Sequence, residues 1–241
     1  MINAVQHSLW MREMFDSVPR KYPLLNKIIT FGRDNAWRDS VLSIIKPQEG
    51  LCILDICTGT GDLALKIANK FPSAEVSAID FSSNMLAMAI AKADNLGIRN
   101  VTFKENDCTD MDFESNSFDY VTISFGFRNL SFSATNLKNA LAEVYRVLKE
   151  GGRFIILETS QPENSFIRKI FHFYVKMAVP RAGMFIAGDK MPYAYLGGSI
   201  VKFFDENSLD CLLTSEGFRL ESSKPFMCRA VRLSAFRKYK A

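Results

Sequence analysis

The chain is poor in metal ligands. It has two histidines, His7 and His172, and five cysteines at positions 52, 57, 108, 211 and 228, none in a C-x-x-C pair. A structural zinc needs four nitrogen or sulfur ligands at short spacing, so no metal is expected. No apolar run is long enough for a bilayer core. The N-terminus has neither the basic-then-apolar order of a secretory signal nor the character of a transit peptide. With unpaired cysteines, this reads as a cytoplasmic protein. Net charge is also low: +4 over 241 residues does not describe a dedicated nucleic-acid binder. The charge is uneven: the tail from Lys224 onward carries Arg229, Arg232, Arg237, Lys238 and Lys240 and no acid.

What is present is most informative between Leu51 and Asp62. Leu51 to Ile56 reads as a buried strand, Gly59-Thr60-Gly61 as a glycine turn, and the residues after Asp62 as a helix. A second apolar strand, Glu75 to Ile79, ends in Asp80. A strand, a G-x-G turn and an acid about twenty residues on make a nucleoside site: the glycines let the backbone approach, and the acid accepts from the ribose hydroxyls. Ala64 stands at the third glycine position of a dinucleotide fingerprint, which tolerates alanine, so NAD stays open. A P-loop is excluded, because no Lys-Ser or Lys-Thr follows the turn. Asp55 and Asp62 flank the turn; they would repel a pyrophosphate and suit the sulfonium and ammonium of S-adenosylmethionine. A plain βα turn with incidental glycines is the simplest alternative.

Around this segment the pattern alternates. Trp37, Val41, Ile44 and Ile45 recur at helical spacing, and the first fifty residues read as helical. Met85, Leu86, Ala89, Ile90 and Ala93 give a helix ended by Gly97. Val101–Phe103 and Phe118–Phe125 read as strands. Leu137, Leu141, Val144, Tyr145 and Leu148 make an amphipathic helix stopped by Gly151-Gly152, and Phe154–Leu157 is a strand ending at Glu158. This order implies right-handed crossovers and a parallel sheet covered on both faces. Residues 162–204 break it with an aromatic insert. A helix over Ser208–Glu216 and two strands near 218–221 and 230–236, paired antiparallel, complete the chain. The reading is one domain: a helical cap (1–50), a core (51–160), an insert (161–205) and a C-terminal helix with two strands (206–241). Ligands of such sheets bind beyond the carboxyl ends of the strands. Asp55, Asp80, Asp107 and the Ser124-Phe125-Gly126 corner all fall at strand ends, although Asp107 or Ser124 taken singly reads as a turn residue.

Several stretches then carry a family resemblance: Asp55 to Asp62, Thr122 to Asn129 with its Phe-Gly-Phe-Arg-Asn, Tyr145 to Lys149 with Gly151-Gly152-Arg153, and Tyr193-x-Tyr195-Leu196 with Ser199-Ile200. Met14 to Val18, Asn26 and Trp37 also fit. The chain resembles the ubiquinone/menaquinone biosynthesis C-methyltransferase family over nearly its whole length. It departs at Pro23, where the family usually has Asp, at Asp34, where His is common, and at Thr58, which replaces a Gly. The C-terminal Gly and His expected between Arg229 and Arg237 are missing. The resemblance implies an α/β class I, Rossmann-like methyltransferase fold. Its seven-stranded sheet would be mostly parallel, with the last strand antiparallel and the insert before the last two strands. It implies S-adenosylmethionine held by Gly59, Thr60 and Gly61 in the turn, Asp80 at the ribose, Asp107 and Cys108 near the adenine, and Ser124 after the fourth strand.

The implied reaction is C-methylation of a polyprenyl quinol, demethylmenaquinol or a benzoquinol. No transit peptide is visible, so menaquinone is the first expectation. The candidates beside the acceptor are Arg128 and Asn129. Arginine stays protonated and is a poor base, so Arg128 either stabilises a developing phenolate, with water taking the proton, or pairs with a sheet-edge carboxylate and holds the loop. Phe166 to Met177 mixes aromatics with cations; it reads as a lid helix packed on the core, with a membrane-surface helix or a prenyl-channel roof as alternatives. Phe203 and Phe204 are candidates for the acceptor pocket, and His172 reads as a packed or exposed residue. Oligomerisation and peripheral membrane contact stay open. Two further readings belong to other classes. A nucleic-acid methyltransferase is disfavoured because Ser124-Phe125-Gly126-Phe127 stands where an Asn/Asp-Pro-Pro-aromatic motif would. A non-catalytic nucleoside-binding scaffold is disfavoured by the intact cofactor residues.

Overall fold

A computed structural model describes residues 30–187 and 191–239; the expectations placed on Met14 to Val18, Pro23 and Asn26 lie outside them. Helix α1 (Asp34–Leu42) precedes strand β1 (Cys52–Ile56), followed by α2 (Asp62–Lys70), β2 (Glu75–Asp80), α3 (Ser83–Leu96) and β3 (Val101–Glu105). Next come β4 (Phe118–Ser124), the short α4 (Phe127–Leu130), α5 (Ala134–Val147) and β5 (Leu148–Thr159). The insert is two helices, α6 (Ser165–Ala187) and α7 (Met191–Lys202), and α8 (Glu206–Ser215), β6 (Phe218–Phe226) and β7 (Val231–Lys238) close the chain.

The seven strands form one sheet in the order β3-β2-β1-β4-β5-β7-β6. The ladders linking β1 to β5 are parallel, and β7 runs antiparallel to both neighbours. This is the expected α/β architecture, with its switch point between β1 and β4. Because side chains alternate across a strand, Leu54, Ile56, Val121, Ile123, Phe154 and Ile156 pack on one face with α5 and α8. Ile53, Tyr120, Ile155 and Leu157 pack on the other with α1 and α2. Both faces are covered, so these strands read as continuous apolar runs.

Two boundaries differ most from the sequence reading. β5 begins at Leu148 rather than Phe154, with Gly151-Gly152 inside it. Its register shifts opposite Phe118/Tyr120, Gly151 takes φ +76°, and a Cβ on Gly152 would meet Lys149 O at 2.9 Å and Asp119 O at 3.1 Å. The glycines thus serve an irregularity in the strand, not the stop of a helix. β6 runs on to Phe226, past the expected end near 221; an edge strand can carry the polar Ser222, Ser223 and Lys224 because one side faces water.

Candidate functional site

The strand tips converge around the turn after β1. Gly59 and Gly61 take φ +55° and +74°, the left-handed region glycine enters freely. Gly61 is also a close-approach site, since a Cβ there would lie 2.8 Å from Ala89 Cβ. Asp80, 7% exposed at the end of β2, is clasped from both sides. Its Oδ2 accepts from the Gly59 amide at 2.8 Å and its Oδ1 from the Ser82 amide at 2.9 Å. These bonds fix the rotamer of a carboxylate at the strand tip.

Asp55, Asp62 and Arg38, the third of them on α1, surround the turn together with Lys92. Asp55 is 1% exposed and accepts from the hydroxyls of Thr58 and Thr122, both at 2.6 Å. Burial, outweighing these bonds and Arg38, pushes its pKa from 3.8 up to about 6. Thr58, the departure from the family's glycine, thus anchors the loop onto Asp55. Asp62 is matched by the Lys92 ammonium at 2.6 Å, which also donates to Thr60 O at 3.0 Å. The third is Arg38, buried on α1. Its Nη1 donates to Asp34 Oδ2 at 2.6 Å, its Nη2 lies 4.0 Å from Asp62, and the guanidinium stands 5.7 Å from the Phe125 ring centroid. Asp34, the departure from the family's histidine, therefore orients a cation toward the turn.

At the tip of β4, the Ser124 hydroxyl is buried without a hydrogen-bond partner. The chain then turns through Phe125, a non-glycine residue at φ +58°. A Cβ on Gly126 would meet Cys57 Cβ at 2.7 Å, so this corner abuts the glycine turn. Arg128 is buried and its Nη1 donates to Glu158 Oε1 and to Phe125 O, both at 2.8 Å. Its backbone amide donates to Glu158 Oε2 at 3.2 Å. Of the two readings of Arg128, the structure displays this carboxylate pairing and uses it to hold the strained Phe125 carbonyl. Asn129 is half-buried, its amide bonded to Gly126 O at 3.1 Å. Tyr195 on α7 lies close enough for the Arg128 charge to act on its phenol, whose pKa burial raises nonetheless.

Asp107 is exposed in the loop after β3 and accepts from the amide and hydroxyl of Thr109, both at 2.9 Å. Cys108 is buried with its sulfur 3.9 Å from that of Cys57; the neighbouring thiol and burial push the Cys57 pKa well up, which leaves no thiolate for chemistry. Phe203 is buried edge-on to Phe127, with Phe204 against it. His172 meets Gln161 Oε1 at 2.7 Å, and Gln161 donates to the carbonyls of Ile200 and Phe203; the histidine braces the insert. The structure thus brings Gly59, Thr60, Gly61, Asp80 and Ser124 onto one rim, with Arg128 and Asn129 behind its β4 side. Sequence reasoning missed Arg38, Glu158 and Tyr195 as members. Glu158 had a signal as a strand end and Tyr195 as part of a motif, while the signal for Arg38 was its i,i+4 spacing from Asp34 on a helix.

These residues fit an adenosine that carries an amino acid. An orphaned buried hydroxyl, a carboxylate fixed at a strand tip and a cradle of left-handed glycines are the parts such a ligand engages. The sequence profile of the ubiE/COQ5 methyltransferase family matches residues 3–228. The chain is 36% identical over 217 residues to "Ubiquinone/menaquinone biosynthesis C-methyltransferase UbiE" of Desulfotalea psychrophila, covering 90% of this chain and 85% of the relative. It is 37% identical over 205 residues to "Demethylmenaquinone methyltransferase" of Thermus thermophilus, covering 85% and 91%. The fold is similar to that of a SAM dependent methyltransferase from Aquifex aeolicus (TM-score 0.63, 18% identity, covering 90% of this chain and 97% of that one). It also resembles the [4+2]-cyclase SpnF (TM-score 0.69, 16% identity, 96% of both chains), so the fold alone does not name the reaction. With the profile spanning almost the whole sequence, the chain belongs to the ubiE/COQ5 methyltransferase family.

Proposed function

We propose that the chain transfers a methyl group from S-adenosylmethionine to a ring carbon of a reduced polyprenyl quinone precursor, with demethylmenaquinol as the acceptor. The observation that carries the donor side is Asp80, pinned by the Gly59 and Ser82 amides at the tip of β2. There it receives a ribose diol beside the glycine turn, with the Ser124 hydroxyl across β1 at the tip of β4. Asp107 and Cys108 lie on the adenine side. Arg38 receives the carboxylate of the amino-acid part, and Asp55 sets a negative potential behind the cationic part. When bound, S-adenosylmethionine supplies an electrophilic methyl on a sulfonium.

The chain's residues bind, align and dry the reactants. Alignment accounts for much of the acceleration, and an apolar wall favours a step in which charge is lost. The acceptor must be the quinol: its deprotonated hydroxyl pushes electrons to the ortho carbon, which an oxidised quinone cannot do. Arg128, paired with Glu158, fixes the Phe125 corner beside the acceptor, with Asn129 following it in the chain, and water takes the ring proton. Residues 1–241 act as one methyltransferase domain, working at the membrane surface where a polyprenyl quinol resides. A benzoquinol acceptor is the second reading, favoured by the double name of the Desulfotalea relative.

Labelled S-adenosylmethionine with reduced demethylmenaquinone, a reduced demethylbenzoquinone or RNA tests the assignment. Label is expected in the naphthoquinol after chemical reduction and not in its oxidised form. Label in RNA, or in no acceptor, overturns the proposal; label in the benzoquinol alone replaces it with the second reading.

A further inference from the structure

Helix α6 leaves one face bare. Val175 and Val179 are buried with Ile200 of α7. On the opposite side Phe166 is 70% exposed, Ile170 54%, Phe173 67%, Met177 39% and Met184 50%. At 100° per residue these five positions fall within a sector of about 60°, and they run about 27 Å along the helix. Monomeric soluble proteins seldom display a continuous apolar stripe of this size without a partner. The whole of α6 contains no acid. Three of its four cations flank the stripe, Lys169 and Lys176 on one side and Arg181 on the other, while Arg168 lies on the far side.

We infer that the Phe166–Met184 face of α6 is a membrane-docking surface that inserts its apolar stripe among the acyl chains of an anionic bilayer, with Lys169, Lys176 and Arg181 at the headgroups. The charge pattern selects this occupant. A second copy packed face to face would set cationic flanks against cationic flanks with no acid on either helix to answer them, whereas anionic headgroups match them. The helix lies on the surface and does not cross: among the described residues no helix is long and apolar enough to span a membrane. The inference deepens the proposed function, since a polyprenyl acceptor would be reached from the bilayer, but its test needs neither donor nor acceptor.

The test is co-sedimentation of the full chain with vesicles of phosphatidylglycerol and phosphatidylcholine, and with phosphatidylcholine alone. Binding to the anionic vesicles is expected, falling about tenfold or more in the Phe166→Asp/Phe173→Asp variant. Thermal unfolding should be unchanged, because both rings point into solvent. Lys169→Glu/Lys176→Glu should abolish the preference for anionic lipid while leaving the fold intact. Absence of vesicle binding by the parent chain, or equal binding by the Phe166→Asp/Phe173→Asp variant, overturns the inference. So does a dimer in light scattering that this variant dissociates, which would show that a second copy covers the stripe. A chain that binds vesicles through this face yet methylates no quinol would leave the docking surface standing and refute the acceptor instead.

Discussion

The rim at the strand tips and the helical insert are built by opposite rules. At the rim each charge has assigned partners: Asp80 accepts from two amides, Asp55 from two hydroxyls, and Glu158 from Arg128. Phe125 and Cys57 are held at φ +58° and +52°, conformations that side-chain-bearing residues keep only when their surroundings impose them. In the insert, α6 and α7 meet through a small aliphatic cluster, Gln161 ties α7 to the end of β5, and the outer face is bare. A small donor of fixed shape demands preorganised polar groups, whereas a prenyl chain demands oily surface that accommodates many conformations. Rim substitutions should therefore damage fold and donor binding, while insert substitutions should change only delivery of the acceptor.

The strongest challenge to that contrast is Glu158→Leu. It strips a buried guanidinium of its carboxylate and releases the Phe125 corner, so stability should fall by about 3–5 kcal/mol. Adding Arg128→Met should recover a large part, because two apolar groups in place of a buried pair are far less costly than one stranded charge. Denaturant unfolding measures both. A Glu158→Leu chain as stable as the parent would mean the rim is no more rigid than the insert. Next comes Asp80→Ala, which removes the clasp and the diol acceptor together. Affinity for S-adenosylhomocysteine by calorimetry should drop on the order of 100-fold.

The sequence exposed one of these regions better than the other, for physical reasons. The succession of strands along the chain and the positions of Gly59, Gly61 and Asp80 were legible because a parallel sheet imposes apolar runs ending in glycine or acid. The Arg128–Glu158 pair was half legible: Glu158 was visible at a strand end and Arg128 in a motif, but contact across thirty residues leaves no local periodicity. The early start of β5 was hidden because Gly151-Gly152 resembles a helix stop and a strand irregularity equally. The bare face of α6 was hidden for a different reason. Its two faces are both apolar, Val175 and Val179 against Phe166 and Phe173, so hydropathy cannot tell which one the fold covers.

Arg38 tests whether the cap helix belongs to the rim. Arg38→Met should weaken S-adenosylhomocysteine binding about 10- to 30-fold, the worth of charge-assisted bonds to a carboxylate. It should leave affinity for 5′-methylthioadenosine, which lacks the amino-acid part, unchanged. Equal loss for both ligands would mean that Arg38 only packs α1 against the turn through Asp34. The conservative Asp34→Asn variant, which loosens the guanidinium without removing it, should give a smaller loss with the same ligand preference.

The smallest effect is a matter of pH, and it separates stability from binding within the rim itself. Burial raises the Asp55 pKa from 3.8 to about 6, so between those values the folded chain retains a proton that the unfolded chain has released. Protonation then favours folding, and the Asp55 contribution is complete below about pH 4 and lost as pH rises through about 6. Donor binding has the opposite sign, because a sulfonium is attracted to the ionised carboxylate. Between pH 5 and 7.5 the affinity for S-adenosylmethionine should improve about fivefold relative to S-adenosylhomocysteine, a contrast of about 1 kcal/mol. Asp55→Asn should flatten that ratio across the range. A ratio independent of pH in the parent chain would confine Asp55 to holding Thr58 and Thr122, and the potential behind the donor would have to come from Asp62 and Asp80.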